Sequence, residues 1–155
     1  MKRSFCLVCT LLLVLCAFTL GCKKEPQFVP PAFDAAAVQG TPTVPDGLGY
    51  NELDAKGIYK VAVCGEVTAQ DGKADIWLTN PASNNVWLKL RIYNAETNEL
   101  LGETGLIKPG EYVQSVTFYE GRTPESGTAI KMRVMSYEPD TYYSQGEIAV
   151  NTVAH

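Results

Sequence analysis

Leu106-Ile-Lys-Pro-Gly-Glu-Tyr-Val-Gln-Ser-Val-Thr-Phe118 is the stretch on which the fold turns. An apolar run ends at Ile107. Pro109 presets φ at about −65° and Gly110 admits φ above zero, so Pro109-Gly110 suits the two central positions of a type II turn. A second run starts at Glu111 and reaches Phe118. The reading is a β-hairpin, with one strand over 99–106 and its partner over 111–119.

Outward from this hairpin, apolar residues recur with period two, the period of a half-buried strand. Further strands are expected over 58–67, 74–80, 86–94, 129–138 and 147–153. Turn-forming clusters separate them, among them Gln70-Asp-Gly-Lys73, Asn80-Pro-Ala-Ser-Asn-Asn85 and Gly121-Arg-Thr-Pro-Glu-Ser-Gly127. Residues 57–155 are therefore expected to form one all-β domain of seven short antiparallel strands. In strand number and in the Lys108-Pro-Gly-Glu111 turn, this span resembles the immunoglobulin-like sandwich modules of bacterial surface proteins. The Cys–Trp–Cys core of antibody domains is absent, so the likeness is one of architecture.

Two strands carry the candidate site. In 86–94, Val86, Leu88, Leu90 and Ile92 point towards a core, and Trp87, Lys89, Arg91 and Tyr93 point away. In 129–138, Ile130, Met132 and Val134 face inward, and Lys131, Arg133, Met135 and Tyr137 face outward. An immunoglobulin-like order sets these two strands side by side. Trp87, Lys89, Arg91, Tyr93, Lys131, Arg133 and Tyr137 would then form one basic and aromatic face. One reading is sheet stabilisation, since cross-strand aromatic pairs contribute roughly 0.2–1 kcal/mol each and basic side chains cover rings with their stems. The other is a binding face for an acidic protein or a glycan. Trp77 alternates with Ile76 and Leu78, which assigns it to the outer face of its own sheet.

The N-terminal third reads differently. Lys2 and Arg3 precede an uncharged apolar run from Phe5 to Leu20, followed by Gly21-Cys22-Lys23-Lys24. The basic start and the apolar run mark an export segment. Its junction resembles a bacterial lipoprotein signal peptide, with Cys22 as the lipidated residue and Gly21 as the small residue before it. Thr19 stands where that family usually has Leu. The resemblance implies a signal peptide over 1–21, a lipid on Cys22 and a place on the extracytoplasmic face of the cell membrane. Residues 22–56 hold Cys22 and five of the nine prolines and read as a Pro-rich tether. At ~3.1 Å per residue such a spacer reaches roughly 100 Å. Docking of 44–56 on the domain is left open. Cys6, Cys9 and Cys16 lie in the apolar run. Beyond it only Cys22 and Cys64 remain, and with Cys22 lipidated no internal disulfide is expected.

Composition narrows the function. Net charge is −4 and becomes −6 without residues 1–21, with 11 basic against 17 acidic residues. That balance argues against nucleic acid as partner. The single histidine is His155, the last residue, expected to be frayed and to supply no catalytic base. No His/Cys cluster has metal-ligand spacing. Glu138, Asp140 and Glu147 admit a Ca²⁺ site, although Asp140 in a Pro-Asp turn is more simply a turn former. Cys64 reads as a buried small apolar residue. The expectation is a membrane-anchored, non-catalytic binding module without a cofactor. The alternative is a structural or accessory subunit of an envelope or conjugation-related assembly. The whole chain also resembles small clostridial lipoproteins, some carried on mobile elements, a likeness that implies location and no function.

Overall fold

The computed structural model describes residues 28–155. The expected signal peptide over 1–21 and the candidate lipidation residue Cys22 lie outside the described residues. Within them the chain forms strands and no helix, so no helix is long and apolar enough to cross a membrane. In chain order the strands are β1 (Val38–Gln39), β2 (Asn51–Asp54), β3 (Lys60–Val63), β4 (Thr68–Gln70) and β5 (Lys73–Thr79). They continue as β6 (Trp87–Asn94), β7 (Leu100–Glu103), β8 (Glu111–Thr117), β9 (Ala129–Tyr137) and β10 (Ser144–Val153). One sheet has the order β1-β8-β5-β3-β2, with β4 also on β5; the other has the order β10-β9-β6-β7. Every strand pair is antiparallel. Each of the seven expected runs contains a strand; β1, β2 and β4 raise the number to ten.

The period-two pattern fills one shared core. Val61, Ile76, Leu78 and Val113 from the first sheet meet Leu88, Leu90, Ile92, Ile130, Met132 and Val134 from the second, and none is more than 1% exposed. Burying each such side chain contributes about 1.5–3 kcal/mol. Tyr59 is buried among them and its hydroxyl donates to the Val134 carbonyl at 3.0 Å. Burial pushes its pKa up to about 12, outweighing the lowering effect of the Ser136 side chain and the Ile148 backbone. Cys64 is a free, fully buried thiol. Burial, then the nearby Asp75 carboxylate, push it up to about 11, so it stays protonated at neutral pH and is a poor nucleophile. Trp77 sits where an extra residue in β5 breaks the register with β8, at a φ of 46°. Its ring stacks on Tyr112 at 6.2 Å.

The expected hairpin is half right. Gly110 has φ 82° and the Glu111 N–H donates to the Lys108 carbonyl at 3.1 Å, as a type II turn requires. The flanking strands do not pair as a hairpin. β7 pairs with β6, β8 pairs with β5, and between β7 and β8 there is one bridge, Gly102 to Phe118. The reason lies in the two residues before the turn. Leu106 and Ile107 are adjacent, so their side chains point to opposite sides, and both are fully buried. Ile107 bridges Leu88 and joins the shared core, while Leu106 bridges Phe33 and lies outside it, so the chain leaves the second sheet here before β8 joins the first. Asn80 holds this crossing: its side-chain amide donates to the carbonyls of Val86 and Ile107, both at 2.9 Å.

The tether is corrected as well. Residues 38–39, expected to be spacer, contribute β1 to the first sheet, and residues 51–54, whose docking was left open, contribute β2. Residues 32–34 lie along Leu106, with the Asp34 N–H donating to the Leu106 carbonyl and the Leu106 N–H to that of Ala32, each at 2.9 Å. The Asp34 carboxylate accepts from the Gly105 N–H at 2.7 Å. Pro-rich composition excludes helix but not edge strands, and here the edge of a sheet was free to take them. His155 is not frayed in its backbone: its N–H donates to the Val67 carbonyl at 3.0 Å and its carbonyl accepts from the Ala69 N–H at 2.9 Å.

Candidate functional site

The outer face of β10-β9-β6-β7 is ordered by register. Trp87 lies opposite Tyr137, Lys89 opposite Met135, Arg91 opposite Arg133, and Tyr93 opposite Lys131. The two candidate strands are thus neighbours, and their outward residues share one face. β7 adds Glu103 beside Arg91, and β10 adds Glu147, Ala149 and Asn151 beside Met135, Arg133 and Lys131.

Two arginines directly opposed on a sheet repel each other. Each is drawn aside by a carboxylate. The Arg91 Nε donates to Glu103 Oε2 at 2.8 Å, and Arg133 donates to Glu147 Oε1 through Nη2 at 2.6 Å and Nε at 3.2 Å. Glu103 also holds the Lys89 ammonium at 3.0 Å. Burial alone would raise the Glu103 carboxyl, but Lys89 and Arg91 outweigh it and hold the group below the usual carboxylate range.

These pairs revise the expected face. Lys89 alternates outward, yet it is only 7% exposed and committed to Glu103. Trp87 is half-buried: Phe33 meets its ring edge-on at 4.8 Å and Tyr142 does so at 5.2 Å. Phe28 packs on Tyr142 in turn at 5.8 Å, and the Lys108 ammonium sits 4.5 Å above the Phe33 ring. The Trp87 end of the face is thus covered by Phe33 of the expected tether and by Tyr142, on which Phe28 packs. The Tyr137 hydroxyl points back to the Met135 sulfur at 3.7 Å.

The other end stays open. Tyr93, Asn98, Lys131, Arg133, Glu147 and Ala149 line a shallow depression of about 590 Å³. Arg133 lies 5.8 Å from the Tyr93 ring centre. Lys131 has no carboxylate within 4 Å among the described residues and faces this space. Of the seven expected residues, Tyr93, Lys131 and Arg133 line the depression; Arg91 is half-buried against Glu103; Trp87, Lys89 and Tyr137 are engaged by the chain itself. Asn98 and Glu147 were missed. Asn98, at a φ of 57°, belongs to a turn whose geometry the pattern did not resolve, and Glu147 sits at an outward position of β10.

Two of the carboxylates that admit a Ca²⁺ site, those of Glu138 and Glu147, are engaged elsewhere. Glu138 accepts from the Thr141 backbone N–H at 2.8 Å and from its hydroxyl, and Glu147 is bound to Arg133. The Thr141 hydroxyl and N–H hold the Glu138 carboxyl below its usual range. Among the described residues no three His, Cys, Asp or Glu side chains cluster as metal ligands.

The covering segment makes a prediction. A Cβ on Gly105 would lie 2.5 Å from the Asp34 backbone nitrogen and 2.6 Å from its Cα, both main-chain atoms that cannot step aside alone. Gly105→Ala is expected to lift residues 32–34 from Leu106, at a cost of about 1–3 kcal/mol. Limited proteolysis within 28–40 should accelerate at least tenfold while cleavage within 86–118 does not. Unchanged cleavage within 28–40 would show that the segment is not held through Gly105.

Comparison with known proteins finds no matching family model, no matching curated protein and no matching solved structure.

Proposed function

We propose that this chain is a membrane-anchored lipoprotein on the extracytoplasmic face, and that its β domain is a non-catalytic module that docks an acidic protein. The observation that carries the docking reading is the depression at Lys131, Arg133 and Tyr93. It leaves one net positive charge on an otherwise acidic chain, that of Lys131, which has no carboxylate within reach among the described residues, whereas Arg133 is paired with Glu147. A protein is favoured over a glycan because the rings suited to sugar stacking are engaged, Trp87 by Phe33 and Tyr142, and Tyr93 by Arg133. The immunoglobulin-like reading is supported by strand order. β3, β5 and β8 are neighbours in one layer and β6, β9 and β10 in the other, as the A, B, E and C, F, G strands of such modules are, while β7 departs from the constant-domain order by pairing with β6.

Titration of the full chain with a polyglutamate peptide tests the docking reading. Binding should weaken as salt rises and fall at least tenfold in Lys131→Glu, with folding intact because Lys131 fills no core position. Binding unchanged in Lys131→Glu would remove the depression as the site. The anchor rests on Gly21-Cys22 after the basic and apolar segment. Cys22→Ser is expected to abolish lipidation and to leave the precursor uncleaved. A lipid adds ~0.8 kcal/mol per buried CH₂, so the wild type should stay with the membrane in high salt. Intact mass showing an unmodified Cys22 in the wild type would refute the anchor.

The second reading, a subunit of an envelope or conjugation-related assembly, is favoured by a different feature. Phe28, Val29 and Tyr143 are 63%, 78% and 74% exposed, close to the Tyr142–Trp87 contact. Exposed apolar groups of this size gathered at one end of a sheet suit a protein interface.

A further inference from the structure

We propose that the edge of β10 pairs with the β10 edge of a second copy of this chain. β10 is the last strand of its sheet and the longest among the described residues, ten residues from Ser144 to Val153. The direction of its backbone groups follows from its end. The Ala154 N–H donates to the Thr128 carbonyl and the Ala154 carbonyl accepts from the Gly127 N–H, on the β9 side. The His155 N–H and carbonyl turn the other way, to Val67 and Ala69. Backbone direction alternates along a strand. The N–H and C=O groups of Glu147, Ala149, Asn151 and Val153 therefore face away from β9, and no strand takes them. Residues 67–69 take this edge at His155, and the edge opens where that pairing stops.

Native edges are usually blunted by Lys, Pro or an inward charge. β10 has no Pro and no Lys, and its one charge, Glu147, is held by Arg133 at 2.6 Å. Its one irregularity lies at Ser144/Gly146, before the open part. Beside the edge, between β10 and β2, runs a groove of about 430 Å³ floored by Leu53, Val63, Ile148 and Val150. It is followed by a smaller hollow of about 230 Å³ that reaches Ile58, itself 54% exposed.

The occupant of that groove must be a strand with apolar residues on its inner face. β10 has that alternation. Ile148, Val150 and Thr152 are half-buried on the inner side, and Glu147, Ala149 and Asn151 are exposed or nearly so on the outer side. A two-fold axis through Val150 and perpendicular to the sheet sets Glu147 against the partner's Val153 and Ala149 against the partner's Asn151. Every outward N–H and C=O of 147–153 then finds a counterpart. The partner's Ile148 and Val150 project over Leu53 and Val63, and the reverse contact forms by symmetry. The two Glu147 side chains stay apart, each on its own Arg133. The two basic depressions fall on the same side of the joined sheet.

Register makes this testable. Directly opposed residues that are not hydrogen-bonded to each other have Cα atoms about 4.5 Å apart, within disulfide reach. In the full chain, solubilised in detergent and mildly oxidised, Val150→Cys should form a covalent dimer over most of the material. Ile148→Cys, whose partner would be residue 152, should give at least tenfold less. Adding Asn151→Pro to Val150→Cys should abolish the dimer, because proline removes an N–H that faces the second copy and spares the ladder to β9. Sedimentation of the unaltered full chain should show a dimer that Asn151→Pro converts to monomer. A monomer at every concentration overturns the proposal, also if that monomer binds a synthetic peptide of residues 146–154, which would assign the edge to a strand of another protein. Equal cross-linking from Ile148→Cys, or a dimer that survives Asn151→Pro, overturns it too.

Discussion

Glu103→Gln is expected to lower stability by about 3 kcal/mol at neutral pH, the low end for breaking a buried pair, since Gln keeps a hydrogen-bond acceptor. Two cations depend on this carboxylate. Lys89 has a side chain only 9% exposed and its ammonium lies 3.0 Å from Glu103 Oε1; without the carboxylate a nearly buried charge has no counterpart. Arg91, opposite Arg133 in register, loses the group that draws it aside. The Arg91 part is smaller, because its side chain is 35% exposed and water screens the pair. The loss has a defined pH dependence. Glu103 has a lowered pKa in the folded state, so the folded chain binds fewer protons there than the unfolded chain. The stabilisation is complete above the unfolded carboxyl value of about 4.3 and is lost as pH falls through the lower folded value. Urea unfolding of both proteins at pH 7 and at pH 3 measures it. The gap between them should narrow on acidification. Equal stabilities at pH 7 would mean that Lys89 finds water instead of Glu103.

Asn80→Leu is expected to cost about 3 kcal/mol or more, although it puts an apolar side chain of similar size in a fully buried place. Asn80 is 0% exposed, donates to the carbonyls of Val86 and Ile107, and accepts from the Asn84 side chain at 2.7 Å. Leucine leaves the buried Val86 carbonyl without a donor, at ~1–3 kcal/mol, removes one of the two donors to the Ile107 carbonyl, which keeps the Leu88 N–H, and takes an acceptor from the Asn84 amide. Asn84 is itself tied to β3, through 2.9 Å and 2.6 Å bonds with the Lys60 backbone. The side-chain network of one residue thus joins the 80–85 loop, β3 and the crossing before the Lys108-Pro-Gly turn. The melting temperature should fall by roughly 10 °C, and amide exchange should accelerate at Leu88 and Ile107, which exchange hydrogen bonds beside Asn80. A fall equivalent to less than about 1 kcal/mol would mean that water replaces the amide.

The sequence by itself determined the strands that build the core. Period two in 86–94 and 129–138 placed Leu88, Leu90, Ile92, Ile130, Met132 and Val134 inside, where they are. That the two strands lie side by side was expected from the immunoglobulin-like order and not from alternation, and the register that opposes Arg91 to Arg133 belongs to the tertiary structure. Alternation is a local property of the chain, and burial of one face is enough to enforce it. Pro109-Gly110 likewise determined a turn, because φ is a property of single residues. What the flanking strands pair with is not local. The pairing of β7 with β6 and of β8 with β5 was decided by contacts between distant segments, among them Asn80, which holds the Ile107 carbonyl from another loop. The tertiary structure alone decided which outward residues of the face are free. Alternation cannot distinguish Lys89, sealed against Glu103 on the next strand, from Lys131, which looks into an open depression. Nor does composition show that Phe33, in a Pro-rich stretch, lies on Trp87. Both contacts join residues distant in sequence, and the carboxylate or ring that completes each is chosen by register and crossing, which no short stretch of sequence encodes.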